Sequence, residues 1–349
     1  MVELSGRNQS AALPQTLAEL VEELRASAPG DQVACEADAY ILRVYAASLN
    51  DAVLAHHFTQ DGLSRAIPVR GCPNPDYILK HASLNGSGSY RLSVTLNESE
   101  RVGVGLYRRT AQGSLESTDY RVIDADNVDF ARKFVLSIVQ SAESSHSMSL
   151  SADTTILLIR ILHRTEGPPA QTRLEGDIAR QDLALAGGTP EAALSQAIEA
   201  TQRSVRQFLS WSAQASNFPN QFRMGVQGLS QTLQGDPDTS YALGYFDLIE
   251  NQVLRVAMPA DLRGYWSLHA YNHWCESIPG ASVHDKSASG DNHTGIVAFI
   301  GPTGSPEMGN FLDTRGRAKG ILICRFIGSA PEHAPQCDVI TLPGSNALS

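Results

Sequence analysis

The residues best suited to chemistry are gathered in one run, Tyr265-Trp266-Ser267-Leu268-His269-Ala270-Tyr271-Asn272-His273-Trp274-Cys275-Glu276, which holds two of the chain's three tryptophans. Aromatic density of this kind favours a strand. Strand side chains alternate faces, so Tyr265, Ser267, His269, Tyr271 and His273 are expected on one face. Trp266, Leu268, Ala270, Asn272 and Trp274 then share the other, which reads as core. The first face is a row of hydrogen-bonding rings, unfavourable to bury unpaired, so it borders water or a ligand cavity. In a cavity His269 and His273 would act as acid/base groups. Tyr271 or Tyr265 would serve as proton donor or oxyanion partner.

Two further clusters carry polar groups. His284-Asp285-Lys286 through Asp291-Asn292-His293 has the composition of a long loop, and such loops over β-scaffolds often carry sites. His284 and His293 are its candidate substrate-binding residues; the plainer reading is a solvated loop. Asn310-Phe311-Leu312-Asp313-Thr314-Arg315-Gly316 precedes the last strands, and Asp313-Thr314 can simply close an Asx or Ser/Thr turn.

Several chemistries find no support. Positions 269 and 273 lie ~13 Å apart along a strand, and Glu276 has the opposite parity, so no shared metal is expected. Cys275 follows His273 at ~6.6 Å, beyond hydrogen-bond reach, and reads as a buried structural thiol. There is no Gly-x-Ser-x-Gly elbow, no Gly-x-Gly-x-x-Gly opening a helix and no P-loop. No cofactor is expected.

The elements that must position these residues show in the patterning. Thr16 and Glu19 have capping-box spacing, and Leu17, Leu20, Val21 and Leu24 form a helical stripe. A second helix is expected over about 36–57, with Tyr40, Ile41, Val44 and Tyr45 on one face. From Cys72 onward turn signals separate short alternating runs: Tyr90–Leu96, Val102–Tyr107, Phe134–Val139 and Ile156–Ile161, with helix the alternative around Phe130 to Gln140, which has no Gly or Pro. Residues 166–189 read as a linker. Thr189 then caps a helix with Pro190 in its first turn, its stripe being Leu194, Ile198, Val205 and Leu209. After Asp236-Pro237 the strand texture returns.

Ile156-Leu157-Leu158-Ile159-Arg160 echoes Ile321-Leu322-Ile323-Cys324-Arg325, and each is followed by a proline-containing turn and a final alternating segment. A duplicated β-module accounts for this; the alternative is two unrelated apolar strands. The fold expected is mainly β: two jelly-roll-like antiparallel β-sandwich modules with a helical N-terminus and a helical insertion. The division falls at residues 1–180 and 181–349.

Composition bounds the partners. Lys plus Arg is 27 and Asp plus Glu is 37, a formal net charge of −10. Without a basic cluster, neither nucleic acid nor an anionic membrane surface is an expected partner. No apolar run is long enough to span a bilayer. The opening MVELSGRNQS has no secretory pattern. Five scattered cysteines argue for a reducing, cytoplasmic compartment. A small-molecule partner is the expectation, and a homo-oligomer is compatible with it.

The C-terminal half resembles a family of bacterial proteins defined as domain of unknown function 1214. The resemblance is carried by Tyr265-Trp266, Asn272-His273-Trp274 and Glu276-Ser277, then Asn310-Phe311-Leu312-Asp313-Thr314 with Gly316, then Arg325. Phe311 stands where that family usually has tryptophan. His269 replaces a frequent glutamine and Tyr271 a smaller polar residue, both on the polar face. The N-terminal half, through Asn74-Pro75-Asp76-Tyr77, Tyr90-Arg91 and Thr154–Arg160, looks like a divergent form of the usual partner domain, domain of unknown function 1254. The resemblance implies a sandwich pair with helical insertions. It adds Trp266, Asn272, Trp274, Glu276, Asn310, Asp313 and Arg325 to Tyr265 as candidate substrate-binding residues.

Two functions follow. The first is an enzyme with lyase- or hydrolase-type acid/base chemistry, without nucleotide cofactor, on a small carbohydrate-like or aromatic or apolar molecule, with His269, Tyr271 and His273 catalytic. The second is a non-catalytic small-molecule or carbohydrate-binding sandwich. Two adjacent titratable rings favour the enzyme.

Overall fold

The computed structural model describes residues 9–53, 61–65, 71–110, 115–177, 188–225, 236–260, 262–290, 295–304, 308–328 and 330–343. Helices α1 (Gln9–Ser27) and α2 (Asp31–Val53) lead into a first set of strands. These are β1 (Ser64–Arg65), β2 (Tyr77–Ser83), β3 (Tyr90–Thr95), β4 (Arg101–Arg109), β5 (Leu115–Asp124), β6 (Lys133–Val139), β7 (Ser147–Ser149), β8 (Thr154–Leu162) and β9 (Gln171–Gly176). Helix α3 (Pro190–Ser216) separates them from β10 (Gln221–Met224), β11 (Thr239–Asp247), β12 (Gln252–Ala257), β13 (Trp266–Asn272) and β14 (Ser277–His284). β15 (Val297–Gly301), β16 (Asn310–Asp313), β17 (Lys319–Ile327) and β18 (Gln336–Thr341) complete the chain.

The first module packs a sheet of order β1-β2-β8-β4-β5 on one of order β7-β6-β3-β9. The second packs β10-β11-β17-β13-β14 on β16-β15-β12-β18. Advancing every strand of the first by nine positions produces the second, so one topology is used twice. Ile156–Arg160 and Ile321–Arg325 lie on β8 and β17, the central strands of their sheets. The modules are not wholly antiparallel: β6 with β7, and β15 with β16, run parallel. These short outer strands blunt an open sheet edge.

Alternation explains the packing. Leu157, Ile159 and Ile161 of β8 enter the first core beside Leu92, Val104 and Leu136. Leu322, Cys324 and Phe326 of β17 enter the second beside Leu254, Leu268 and Ala298. Each large aliphatic chain so buried contributes about 1.5–3 kcal/mol. A one-residue slip would exchange these side chains for Arg160 or Arg325, so the register is held strongly. Both arginines therefore project from the outer faces of their five-stranded sheets.

The helices cover part of the second outer face. Leu24, Tyr40, Ile41, Val44, Phe208 and Trp211 pack with Leu243, Tyr271, Ile321 and Ile323. Both N-terminal helices thus belong spatially with the second module. Helix α1 starts at Gln9, so Thr16 lies inside it and is not its cap. Helix α2 starts at Asp31; its buried face is Val33, Ala37, Tyr40, Ile41, Val44 and Ala47, and Tyr45 is turned off it. Residues 54–57 of its expected span lie outside the described residues. Thr189 caps α3, its Oγ1 accepting from Ala192 N at 3.2 Å, with Pro190 following. The buried stripe of α3 is Ala193, Ala197, Thr201, Val205 and Phe208, not Leu194, Ile198 and Leu209. Anchoring by Phe208 and Trp211 sets that rotation, and small residues let the helix approach. Gly167-Pro168-Pro169 precedes β9 and is internal to the first module, and 178–187 of the expected linker lie outside the described residues. Among the described residues no helix is long and apolar enough to cross a membrane.

Candidate functional site at the module interface

Strand β13 forms as its alternation predicts, after Gly264 turns the chain at φ 73°. Trp266, Leu268 and Ala270 enter the core, and Tyr265, Ser267, His269 and Tyr271 share the opposite face. The strand then stops, because Asn272 Oδ1 accepts from the backbone N–H groups of Trp274 (3.0 Å) and Glu276 (2.9 Å), an Asx-type turn. Cys275 completes it in the left-handed region at φ 62°. This ending overturns the expected placement of three residues. His273 leaves the His269 face: its Nδ1 is 2.8 Å from the Tyr245 hydroxyl. Trp274 turns back to stack on Tyr40, ring centroids 5.7 Å apart, and its Nε1 donates to Val33 O. Asn272 is spent on the turn and is not a core-face residue.

Arg325 organises the polar face. Its Nη1 donates to His269 Nδ1 (2.8 Å) and to the Tyr271 hydroxyl (2.9 Å), and its Nη2 donates to Cys72 O (2.6 Å). Tyr271 donates in turn to Pro73 O at 2.8 Å. Arg325 is 6% exposed and His269 1%, yet no carboxylate among the described residues pairs with this guanidinium. A guanidinium has no acceptor, so the His269 Nδ1 it addresses is unprotonated and Nε2 carries the hydrogen. Burial and then the Arg325 charge push the His269 pKa well down, so the ring is neutral. Its Nε2 has no hydrogen-bond partner among the described residues and lies 3.9 Å from Asp76 Oδ2.

The first module repeats this node. Arg160 Nη1 donates to the Tyr107 hydroxyl at 2.9 Å. Pairing of β4 with β8 places Gly103, Gly105 and Tyr107 opposite Arg160, Leu158 and Ile156. Pairing of β13 with β17 places Ser267, His269 and Tyr271 opposite Arg325, Ile323 and Ile321. Tyr107 thus corresponds to Tyr271, Gly105 to His269, Gly103 to Ser267 and Arg101 to Tyr265. The glycines are needed: a Cβ on Gly105 would lie 2.5 Å from the Tyr107 ring, and one on Gly103 2.0 Å from the Tyr120 hydroxyl.

The modules hold one another reciprocally. Before β2 the turn Asn74-Pro75-Asp76 reaches into the second module: Asn74 Nδ2 donates to the Tyr265 hydroxyl, which donates to Asp76 Oδ2, both at 2.8 Å. Before β11 the equivalent turn Asp236-Pro237-Asp238 reaches into the first, Arg101 Nη2 donating to Asp236 (2.9 Å) and Asp238 (3.2 Å). This is the i-to-j and j-to-i pattern of a two-fold interface, made within one chain. Arg164, buried over the Tyr265 ring, ties Glu100 of one module to Asp285 of the other. Tyr241 lies near both outer-face arginines: burial raises its pKa, and the charges of Arg325 and Arg160 oppose that rise. Tyr77, Tyr120 and Tyr241 keep part of their surface accessible, so the face is not sealed.

The remaining candidates lie elsewhere. His284 ends β14, its Nδ1 near Arg164 Nη1 at 3.3 Å and accepting from Lys286 N at 3.2 Å. His293 lies outside the described residues. Asn310 and Asp313 belong to the four-stranded sheet, across the sandwich from His269. Asn310 braces Ser289 and Val297, and Asp313 Oδ1 accepts from Arg315 N, the turn role. Asn272 and Glu276 line an open groove of about 520 Å³ with Glu36, Arg43, Pro73 and Arg317. Its cations are already matched, Arg43 by Glu276 and Arg317 by Glu36. The unmatched groups are at the module interface, which is the better candidate. Among the described residues no cluster of three or more His, Cys, Asp or Glu could hold a metal ion. Sequence reasoning missed Arg160, Tyr107, Arg101, Asp236 and Tyr241. The recurrence of Asn/Asp-Pro-Asp before β2 and β11 was the available signal.

The architecture is a tandem pair of β-sandwiches with helical additions. A crystal structure of an uncharacterized protein from Burkholderia cenocepacia has the same fold, with TM-score 0.81 at 23% identity over 97% of this chain and 98% of that one. A protein from Vibrio parahaemolyticus matches with TM-score 0.44 at 13% identity, over 87% of this chain and 99% of the other. No family model matches the chain, and no curated protein does.

Proposed function

We propose that this chain is an enzyme performing lyase- or hydrolase-type acid/base chemistry on a small organic molecule that bears an anionic group, at the face shared by Arg325, His269 and Tyr241. The observation that carries this reading is the buried Arg325 guanidinium without a carboxylate partner among the described residues, beside the unpartnered His269 Nε2. An unpaired buried charge is strongly unfavourable, and an anionic ligand would match it. Arg325 would hold the anion, and neutral His269 would donate from Nε2 to a substrate oxygen. The Asp76 carboxylate, 3.9 Å from that nitrogen, would accept the proton released by the substrate or by an attacking water, while the Nε2 hydrogen stays on the ring as a hydrogen-bond donor. His273 and Glu276 have other partners and lie outside this scheme. Free thiols at all five cysteines support a cytoplasmic setting. The β13 and β16 motifs support kinship with the domain of unknown function 1214 family.

The alternative, a protein that only binds, is favoured by one fact: Arg325 occupies His269 Nδ1, so the ring cannot cycle a proton through that atom. Turnover separates the two. Incubating the protein with a panel of organic acids should yield a product by mass spectrometry, lost in Asp76→Asn. Ligands that bind and return unchanged across the panel would establish the binding reading instead.

A further inference from the structure

The pseudo-two-fold relation supplies a second cationic centre facing the same interface. Arg160 is 6% exposed, as Arg325 is, and like it donates to a strand tyrosine with no carboxylate partner among the described residues. Around Arg160 the hydroxyls of Tyr77 and Tyr120 are buried with no hydrogen-bond partner among the described residues. Both phenols feel the Arg160 and Arg101 charges, and Tyr241 feels both Arg160 and Arg325. Arg101 is neutralised by Asp236 and Asp238; Arg160 is not. One guanidinium therefore stands on each side of Tyr241, and the spare phenol donors lie on the Arg160 side.

We infer that Arg160, Tyr77 and Tyr120 form a second anion subsite, and that the ligand of this protein is an organic dianion spanning both guanidiniums, a dicarboxylate in the simplest case. The inference rests on the proposed anion site at Arg325 and names its substrate class. The two ends are chemically distinct. One meets Arg325 with the His269 donor; the other meets Arg160 where Gly103 and Gly105 replace Ser267 and His269, and tyrosines lie over the bare backbone. A dianion with unlike ends would bind in one orientation.

Titration calorimetry of the full chain with malonate, succinate, glutarate and adipate, each beside its monomethyl ester, tests this. At least one diacid should bind about tenfold or more tightly than its own ester, since each bidentate guanidinium–carboxylate pair is worth about one such factor or more. Arg160→Met should remove that advantage while leaving ester affinity unchanged. Arg160→Lys keeps the charge but loses the fork, and carries the same comparison should the Met variant not fold. Equal binding of diacid and ester by the wild-type protein, or equal weakening of both by the Arg160 variants, would overturn the second subsite alone. Binding of neither diacid nor ester would overturn the anion site at Arg325 as well.

Discussion

Tyr107 and Tyr271 occupy one position of a duplicated frame, and each accepts a hydrogen bond of 2.9 Å from the arginine four residues beyond its cross-strand partner. The guanidinium carbons lie 5.7 and 5.8 Å from the respective ring centroids. The geometry is conserved between modules while the residue two positions before the tyrosine is not: Gly105 in the first, His269 in the second.

That difference makes Gly105 a sensitive position. Gly105→Ala should push the Tyr107 ring aside, strain the Arg160 hydrogen bond and destabilise the chain by about 1–3 kcal/mol, in the range of overpacked sites. Urea unfolding measures it. A midpoint indistinguishable from wild type would mean that the ring relocates freely and that the close approach is incidental.

Arg101 and Asp236 lock the first module to the second, and both are nearly buried. Arg101→Met should cost about 3–5 kcal/mol by leaving Asp236 without its cation. The double variant Arg101→Met/Asp236→Asn should recover part of that loss. Strict additivity of the two single changes would show that the pair is not coupled.

For His269, substitution separates two roles. Glutamine offers an acceptor to Arg325 and a donor of similar reach, so His269→Gln should fold normally and, if His269 acts as a neutral donor, keep turnover within about tenfold of wild type. Asp76→Asn should then lose about 10²–10⁴-fold. His269→Leu removes the acceptor and should cost about 1–3 kcal/mol of stability. A collapse of turnover in His269→Gln at unchanged ligand affinity would return the proton-transfer role to the imidazole.

Acid should destabilise the fold through buried histidines. Burial, then the Lys319 charge, lowers the His273 pKa to about 4, against about 6.5 unfolded. Below that value the unfolded chain binds a proton that the folded chain refuses. Stability is therefore full above about pH 6.5 and falls as pH drops toward about 4, by roughly 3 kcal/mol from this group. His269, shifted the same way, adds to the slope. Urea midpoints at pH 7.5 and 4.5 should differ less in His273→Asn than in wild type. An unchanged difference would assign the acid sensitivity to other groups.

Much of the scaffold was legible because it is local. Alternation in Tyr90–Thr95 and Lys133–Val139 marks strands whose inward residues are the core. Thr189-Pro190 announces a helix start because capping acts within one turn. The expected face of Tyr265, Ser267, His269 and Tyr271 held because pleating is a property of the strand itself. His273 and Trp274 departed from the pattern once the Asn272 side chain captured two backbone N–H groups and ended the strand. In α3 the buried stripe shares Val205 with the expected one but otherwise lies one position earlier, because the choice among neighbouring apolar positions depends on what the helix packs against.

The sequence by itself determined the two sets of strands, their echo on β8 and β17, and the shared outward face of Tyr265, Ser267, His269 and Tyr271. Only the tertiary structure decided what those outward side chains meet. Tyr265 and Asp76 are 189 residues apart, and Arg101 and Asp236 are 135. No periodicity encodes such pairs, because they form only when two separately packed sandwiches are set face to face. That placement surrounds Arg160, Arg325 and His269 with phenols and backbone carbonyls, where strand alternation alone would have left them facing water.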